Sequence, residues 1–227
     1  VGLALASSQR PGSSRACMLQ VVAEELTDLD DYYVDPKAGI DVPGLEGSLR
    51  DHISRQAPVL IAGTAFTFVH WLDSMIARGL QMTLPQGSRI METGGFKGRS
   101  REVLRPELYS SITHHLGIPE THIVNEYGMT ELLSQYYEPV LRGGPRKHVA
   151  PPWLRTRVLD PVTLEPVAQG EPGLIQHFDL ANLNSVSAVL TEDLGILTPD
   201  GLELLGRAGD AEPRGCSIAM DALLLAA

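Results

Sequence analysis

Nothing in the chain reaches the ~20 consecutive apolar residues that a helix needs to cross a bilayer, and residues 1–8 have neither the basic start nor the full apolar core of a secretory leader. We therefore expect a cytoplasmic protein with no membrane span. Cysteine is scarce. Cys17 and Cys216 stand far apart, whereas disulfide frameworks and zinc sites both need clustered spacing. Basic residues are outnumbered, 18 Lys and Arg against 28 Asp and Glu for a net charge of −10. That balance excludes the broad electrostatic pull on nucleic acid or an anionic membrane that a basic surface exerts, so an anionic ligand must be held locally. The Gly-x-x-x-x-Gly-Lys-[Ser/Thr] order of a P-loop and the Gly-x-Gly-x-x-Gly of a dinucleotide fold are both missing. So are internal repeats and low-complexity tracts. The first residue is Val rather than Met, as expected of a piece of a longer protein.

What is present, 43% hydrophobic and 20% charged residues with 22 Gly and 16 Pro, is the recipe of one or two packed domains. Residues 28–47 are dense in Asp, Pro and Gly and read as a loop. Short and long apolar runs then alternate: strand at 59–62, helix at 66–78, strand at 89–91, helix at 106–116 and strand at 123–124. Gly79 and Gly117 fall where helices end, and Pro106 falls at a first helical position. Repeated βαβ units predict a helix-flanked, mostly parallel sheet, an α/β subdomain over residues 1–133. From residue 134 to 227, frequent Pro and Gly leave room only for short strands and turns, with hairpin breaks at Asp160-Pro161 and Pro199-Asp200-Gly201. This part reads as a smaller β-rich subdomain.

In open α/β sheets ligands bind beyond the carboxyl ends of the strands, which draws attention to three loops: 63–65, 92–98 and 125–131. The second, containing Gly94, Gly95, Phe96, Lys97 and Gly98, follows a strand and precedes a helix. Free backbone N–H groups and a helix dipole there suit a phosphate, and an exposed tight turn, with Lys97 solvated, suits the same residues. The third offers the ring of Tyr127, the close-approach Gly128, the hydroxyl of Thr130 and the carboxylate of Glu131. These suit base stacking, a phosphate oxygen and Mg²⁺. They equally suit a capped helix start, with Thr130 or Asn125 as N-cap and Glu131 favoured by the dipole. Later come Thr191-Glu192-Asp193 and Gly206-Arg207-Ala208-Gly209-Asp210. An Asp can accept both hydroxyls of a ribose, and an Arg can reach the sugar or its phosphate.

The order of these motifs resembles the adenylate-forming superfamily, whose members share a Tyr-Gly-x-Thr-Glu motif, then Thr-Gly-Asp, then Gly-Arg-x-x-Asp. Glu192 stands where the middle motif has Gly. Within the superfamily the wording is most similar to the acyl-protein synthetases of bacterial bioluminescence, the LuxE type. It rests on residues 92–100 (Glu-Thr-Gly-Gly-Phe-Lys-Gly-Arg-Ser), 125–132 (Asn-Glu-Tyr-Gly-Met-Thr-Glu-Leu) and 205–217 (Leu-Gly-Arg-Ala-Gly-Asp-Ala-Glu-Pro-Arg-Gly-Cys-Ser). The resemblance implies part of an adenylate-forming large domain. The enzyme would activate a fatty acid with ATP and Mg²⁺ as acyl-AMP and pass the acyl group to its own cysteine as a thioester. A partner such as a fatty acid reductase would then receive it for aldehyde production. Cys216 holds the place of that cysteine, with Arg207 and Arg214 near enough in sequence to favour the thiolate; a small buried hydrophobe is the other use of a free cysteine, and Cys17 is read so.

By the same resemblance Gly94, Gly95 and Gly128 make close backbone contacts to the nucleotide and Tyr127 stacks on the adenine. Thr130 binds phosphate, Glu131 ligates magnesium, and Asp193 and Arg207 hold the ribose. Ala65, Phe66 and Phe68 are candidates for an acyl slot, or ordinary core. The superfamily's Ser/Thr/Gly-rich phosphate loop has no copy, since residues 7–14 lack its order and a clear preceding strand and read as a linker. The alternatives are an acyl- or aryl-CoA ligase of the phenylacetate type, or a degenerate, non-catalytic nucleotide-binding domain.

Overall fold

The computed structural model describes residues 1–4, 6, 8–9, 13–26, 31–94 and 103–208. These fall into two compact units that part between Val124 and Asn125. The first carries a parallel sheet. Strand β1 (Gly2–Leu3) pairs with β4 (Leu60–Thr64), and β4 pairs in register with β5 (Arg89–Thr93) from Leu60↔Arg89 to Thr64↔Thr93. The first residues of β6 (Ile123–Tyr127) lie next in the sheet. Helices α1 (Ser14–Leu26), α2 (Val42–Ser54), α3 (Ala65–Ala77) and α4 (Arg105–Leu116) complete the unit.

The helices form where chemistry favours them. The side chain of Thr64 at the end of β4 accepts the N–H of Thr67 at 3.1 Å and so starts α3. Eight of the residues of α3 are buried, among them Phe68, Trp71, Leu72 and Met75, which pack on Ile61 and Ile90 of the sheet and on Leu108, Ile112 and Leu116 of α4. At about 1.5–3 kcal/mol for each large apolar side chain taken from water, this core far outweighs any intrinsic helix preference. Pro106 sits in the first turn of α4, and Gly117 (φ +69°) closes it in a left-handed conformation. Ala65, Phe66 and Phe68 are all buried in this unit, as the core alternative expects.

Three expectations need correction. Cys17, read as a small buried residue, is exposed on α1. Residues 28–47 are not simply a loop: within them β2 (Val34–Asp35) and β3 (Gly39–Ile40) form a small hairpin, and α2 begins at Val42. Asp, Pro and Gly spell a turn, but Asp41 here caps α2 by accepting the Gly44 N–H at 3.0 Å, and Pro43 occupies the first turn, where its missing N–H costs nothing. Leu45 and Leu49 then fall on the buried side, beside the carboxylate of Glu46, which is paired with Arg78. Likewise a strand, β1, does stand ahead of residues 7–14, too short for any hydrophobic period to reveal it.

The second unit is built on an antiparallel sheet ordered β11-β10-β9-β8, from β8 (Leu154–Leu159), β9 (Pro172–Asp179), β10 (Ala188–Thr198) and β11 (Gly201–Arg207). The β10–β11 hairpin turns at Pro199-Asp200, and a turn held by the Asp160 carboxylate follows β8. Its core gathers Leu132, Tyr136, Leu154, Ile175 and Leu202. The end of β6 pairs with β7 (Tyr136–Tyr137), Tyr127 opposite Tyr136. No helix starts at Asn125 or Thr130: Asn125 lies in β6, and residues 128–135 form a turn leading to β7, so the capped-helix alternative is removed.

Candidate functional site

Strand registers in the second unit bring distant motifs together. Asp193 and Arg207 are directly opposed across the β10–β11 ladder. Between Leu190 and Leu194, β10 bulges away from β9, whose partners advance only from Gln176 to Leu174. The bulge consists of Thr191, Glu192 and Asp193. The Thr191 hydroxyl stitches it, donating to the Ile175 carbonyl at 2.8 Å and accepting the Asp193 N–H at 3.1 Å. A bulge next to a site commonly re-aims a side chain, and here it turns Asp193 towards Tyr127.

The Tyr127 hydroxyl donates to Asp193 Oδ2 at 2.8 Å. Burial, and then the Asp193 charge, push its pKa well above that of an ordinary tyrosine, so it keeps its proton. Arg207 Nη2 pairs with the Glu192 carboxylate, while its Nε lies 3.6 Å from Asp193 Oδ1. That Nε is buried and has no hydrogen-bond partner among the described residues. A buried donor without a partner is costly. One oxygen of a ligand placed between Nε and Asp193 would satisfy it. Glu192, the departure from the Thr-Gly-Asp pattern, thus acts as the anchor that keeps Arg207 at this spot.

Behind these groups lies a residue that the sequence reading passed over. His177 is fully buried on β9, its Nε2 3.4 Å from the Tyr127 hydroxyl and its Nδ1 2.7 Å from that of Tyr136. Burial depresses its pKa to about 4, against the smaller opposing pull of Asp193 and Asp179, so the ring is neutral at pH 7. Tyr136 also meets the Thr156 hydroxyl at 2.6 Å, and its own pKa is pushed up to about 12 by burial. The Tyr127 ring is half-buried, with the rings of Tyr136, His148 and His177 at 5.6, 5.9 and 5.9 Å. Hydrophobic alternation in the sequence points away from His177, since it would bury Leu174 and Phe178. Along β9, Gly173, Ile175, His177 and Asp179 are the buried positions and Phe178 is exposed, an inverted polarity that marks a buried polar network.

The other expected residues are placed as follows. Thr130 and Glu131 are exposed in the turn after β6, and the Glu131 carbonyl accepts from Asn182 at 2.8 Å. A Cβ at Gly128 would lie 2.4 Å from the Glu126 carboxylate, which would have to shift to admit it. In the first unit Gly94 follows β5 with φ +82°, a backbone state that suits glycine. Gly95 and Cys216 lie outside the described residues. Among the described residues no cluster of three or more His, Cys, Asp or Glu could hold a metal by itself, and no helix is long and apolar enough to cross a membrane. A Mg²⁺ ion asks less of the protein, since it is commonly held by one or two carboxylates and the substrate's phosphates.

The family described as acyl-protein synthetase, LuxE, matches residues 29–225. The long-chain-fatty-acid–luciferin-component ligase of Aliivibrio fischeri is 29% identical over 142 residues, 58% of this chain and 36% of that protein. The protein of the same description from Vibrio harveyi is 26% identical over 141 residues, with shares of 58% and 36%. The match therefore takes in well under half of either relative. Among solved structures, the ATP-bound RpMatB-BxBclM chimera B3 superposes with a TM-score of 0.59 at 16% identity, over 91% of this chain and 39% of the other. ATP-bound MatB from Rhodopseudomonas palustris gives 0.53 at 17% identity, over 77% and 34%. At such identities the likeness is one of fold alone. With the family match extending over most of its length, the chain belongs to the LuxE acyl-protein synthetase family.

Proposed function

We propose that this chain is the nucleotide-reading part of a ligase that activates a long-chain fatty acid with ATP and passes the acyl group to Cys216. The observation that carries the reading is the junction of Tyr127, Asp193 and Arg207, drawn from three motifs far apart in sequence, with a buried Arg207 Nε, unsatisfied among the described residues, facing the Asp193 carboxylate. A ribose fits that junction. One hydroxyl donates to Asp193 Oδ1 and accepts from Arg207 Nε, while the other donates to the same carboxylate. Tyr127 offers its half-buried ring to the adenine, Thr130 its hydroxyl to the α-phosphate, and Glu131 its carboxylate to Mg²⁺, which offsets phosphate charge when bound. The resemblance would give Gly94 and Gly95 backbone contacts to the nucleotide. In the first step a fatty-acid carboxylate oxygen attacks the α-phosphorus, forming acyl-AMP as pyrophosphate leaves. In the second the Cys216 thiolate, having lost its proton, attacks the acyl carbonyl and AMP leaves, giving a thioester. The names of the two bacterial relatives are in keeping with a long-chain fatty acid as substrate, and by the resemblance a fatty acid reductase is the expected acceptor.

The test is pyrophosphate release with ATP, Mg²⁺ and a series of fatty acids, followed by retention of labelled acyl groups on the protein. We expect long-chain acids to drive release, and label that hydroxylamine removes and that Cys216→Ser does not accept. Normal release with no protein label, and acyl transfer to added coenzyme A instead, would convert the reading to a CoA ligase. No release with any acid from a protein extended upstream of Val1 would leave a binding domain.

A further inference from the structure

With the His177 proton on Nε2, the donors and acceptors around Tyr127 form one continuous chain. Asp193, an ionised carboxylate, accepts only, so the Tyr127 hydroxyl donates to it at 2.8 Å. The Tyr127 oxygen is then free to accept, and the ring nitrogen facing it is His177 Nε2 at 3.4 Å, which donates to it when it carries the proton. Nδ1 of the neutral ring is therefore bare and accepts from Tyr136 at 2.7 Å. The oxygen of Tyr136 in turn accepts from Thr156 at 2.6 Å. The chain runs in one direction, Thr156 to Tyr136 to His177 to Tyr127 to Asp193, and each link polarises the next. It is built into the sheet, since Thr156 and His177 are opposed across β8–β9 and Tyr136 and Tyr127 across β6–β7. The result is that one oxygen of Asp193 is occupied and the other, Oδ1, is left facing Arg207 Nε.

We propose that His177 is a positioning residue for ribose recognition: by donating to Tyr127 it directs the tyrosine proton onto Asp193 Oδ2 and fixes that carboxylate for a vicinal diol. The inference rests on the reading of Asp193 as the ribose acceptor. His177 itself is fully buried and touches no ligand. Its effect is read in discrimination between ribose and deoxyribose rather than in binding as such.

The test compares affinities for AMP and 2′-deoxy-AMP, by calorimetry, in the wild-type chain, His177→Gln and His177→Asn. The amide nitrogen of Gln reaches the place of Nε2 and can still donate to Tyr127; Asn reaches only the place of Nδ1. We expect the wild type and His177→Gln to prefer AMP by a similar factor, and His177→Asn to lose about tenfold of that preference while still binding 2′-deoxy-AMP. Unchanged preference in His177→Asn, or equal loss in both variants, overturns the role of His177 while leaving ribose reading intact. A wild type that does not distinguish the two nucleotides overturns the ribose reading and the inference with it. Should the Asn variant fail to fold, long-range ¹⁵N–¹H correlation on the wild type decides, with the proton expected on Nε2. A proton on Nδ1 would reverse the chain and refute the proposal.

Discussion

At the scale of single residues, the neutral imidazole of His177 couples folding to pH. An ordinary histidine takes a proton near 6.5, and the folded chain resists this until about pH 4 because burial penalises the charged ring more than Asp193 and Asp179 favour it. The unfolded state therefore binds more protons between those values. The stability that His177 contributes is complete above pH 6.5 and is lost as pH falls towards 4, by about 3 kcal/mol in all. Urea unfolding of the wild type and of His177→Gln across that range should show the wild type losing about 3 kcal/mol more than the variant, the carboxylates common to both cancelling. Parallel pH profiles would mean that the ring charges as readily folded as unfolded. Legibility at this scale divided by what each residue displays. Tyr127, Asp193 and Arg207 stand in spaced motifs and could be found. His177 stands in an alternating strand beside Phe178, where hydrophobic reasoning turns the phenylalanine inwards, and the observed face is the opposite one.

At the scale of elements, the βαβ order of the first unit was readable because α3 and α4 are long enough to show a period and end in glycines with positive φ. The elements that escaped are α1, for which no helix was expected, the two-residue strands β1, β2 and β3, which have no period, and α2, whose opening Asp-Val-Pro-Gly serves a turn and a helix start alike. The bulge in β10 escaped for a different reason. Its two surplus residues exist only relative to β9 and cannot be counted on one strand. Yet the bulge is what aims Asp193, and the Thr191 hydroxyl holds it. Thr191→Val keeps the volume, removes the hydroxyl, and leaves the Asp193 N–H and the Ile175 carbonyl without this partner. We expect a loss of about 1–3 kcal/mol in stability and, by the same displacement of Asp193, about tenfold weaker AMP binding. Unfolding curves and calorimetry read the two separately. Lost stability with unchanged AMP affinity would show that the bulge is structural and does not direct the carboxylate.

For the molecule as a whole, the decisive property is that Tyr127, His177, Asp193 and Arg207 come from four different strands, β6, β9, β10 and β11, and meet only in the folded chain. The net charge of −10 gives an anionic nucleotide no general attraction to the protein, folded or unfolded. AMP should therefore bind the native state alone, and mass action then ties binding to stability. At 100 times its dissociation constant the nucleotide should raise the unfolding free energy by about 2.7 kcal/mol. Asp193→Asn retains the shape of the side chain but loses the charge and one acceptor oxygen, and at the same AMP concentration it should show little of this gain. Urea titrations of both proteins with and without AMP measure the difference directly. A gain of equal size in Asp193→Asn would place the nucleotide elsewhere on the chain, because a ligand held by that carboxylate cannot be indifferent to its replacement.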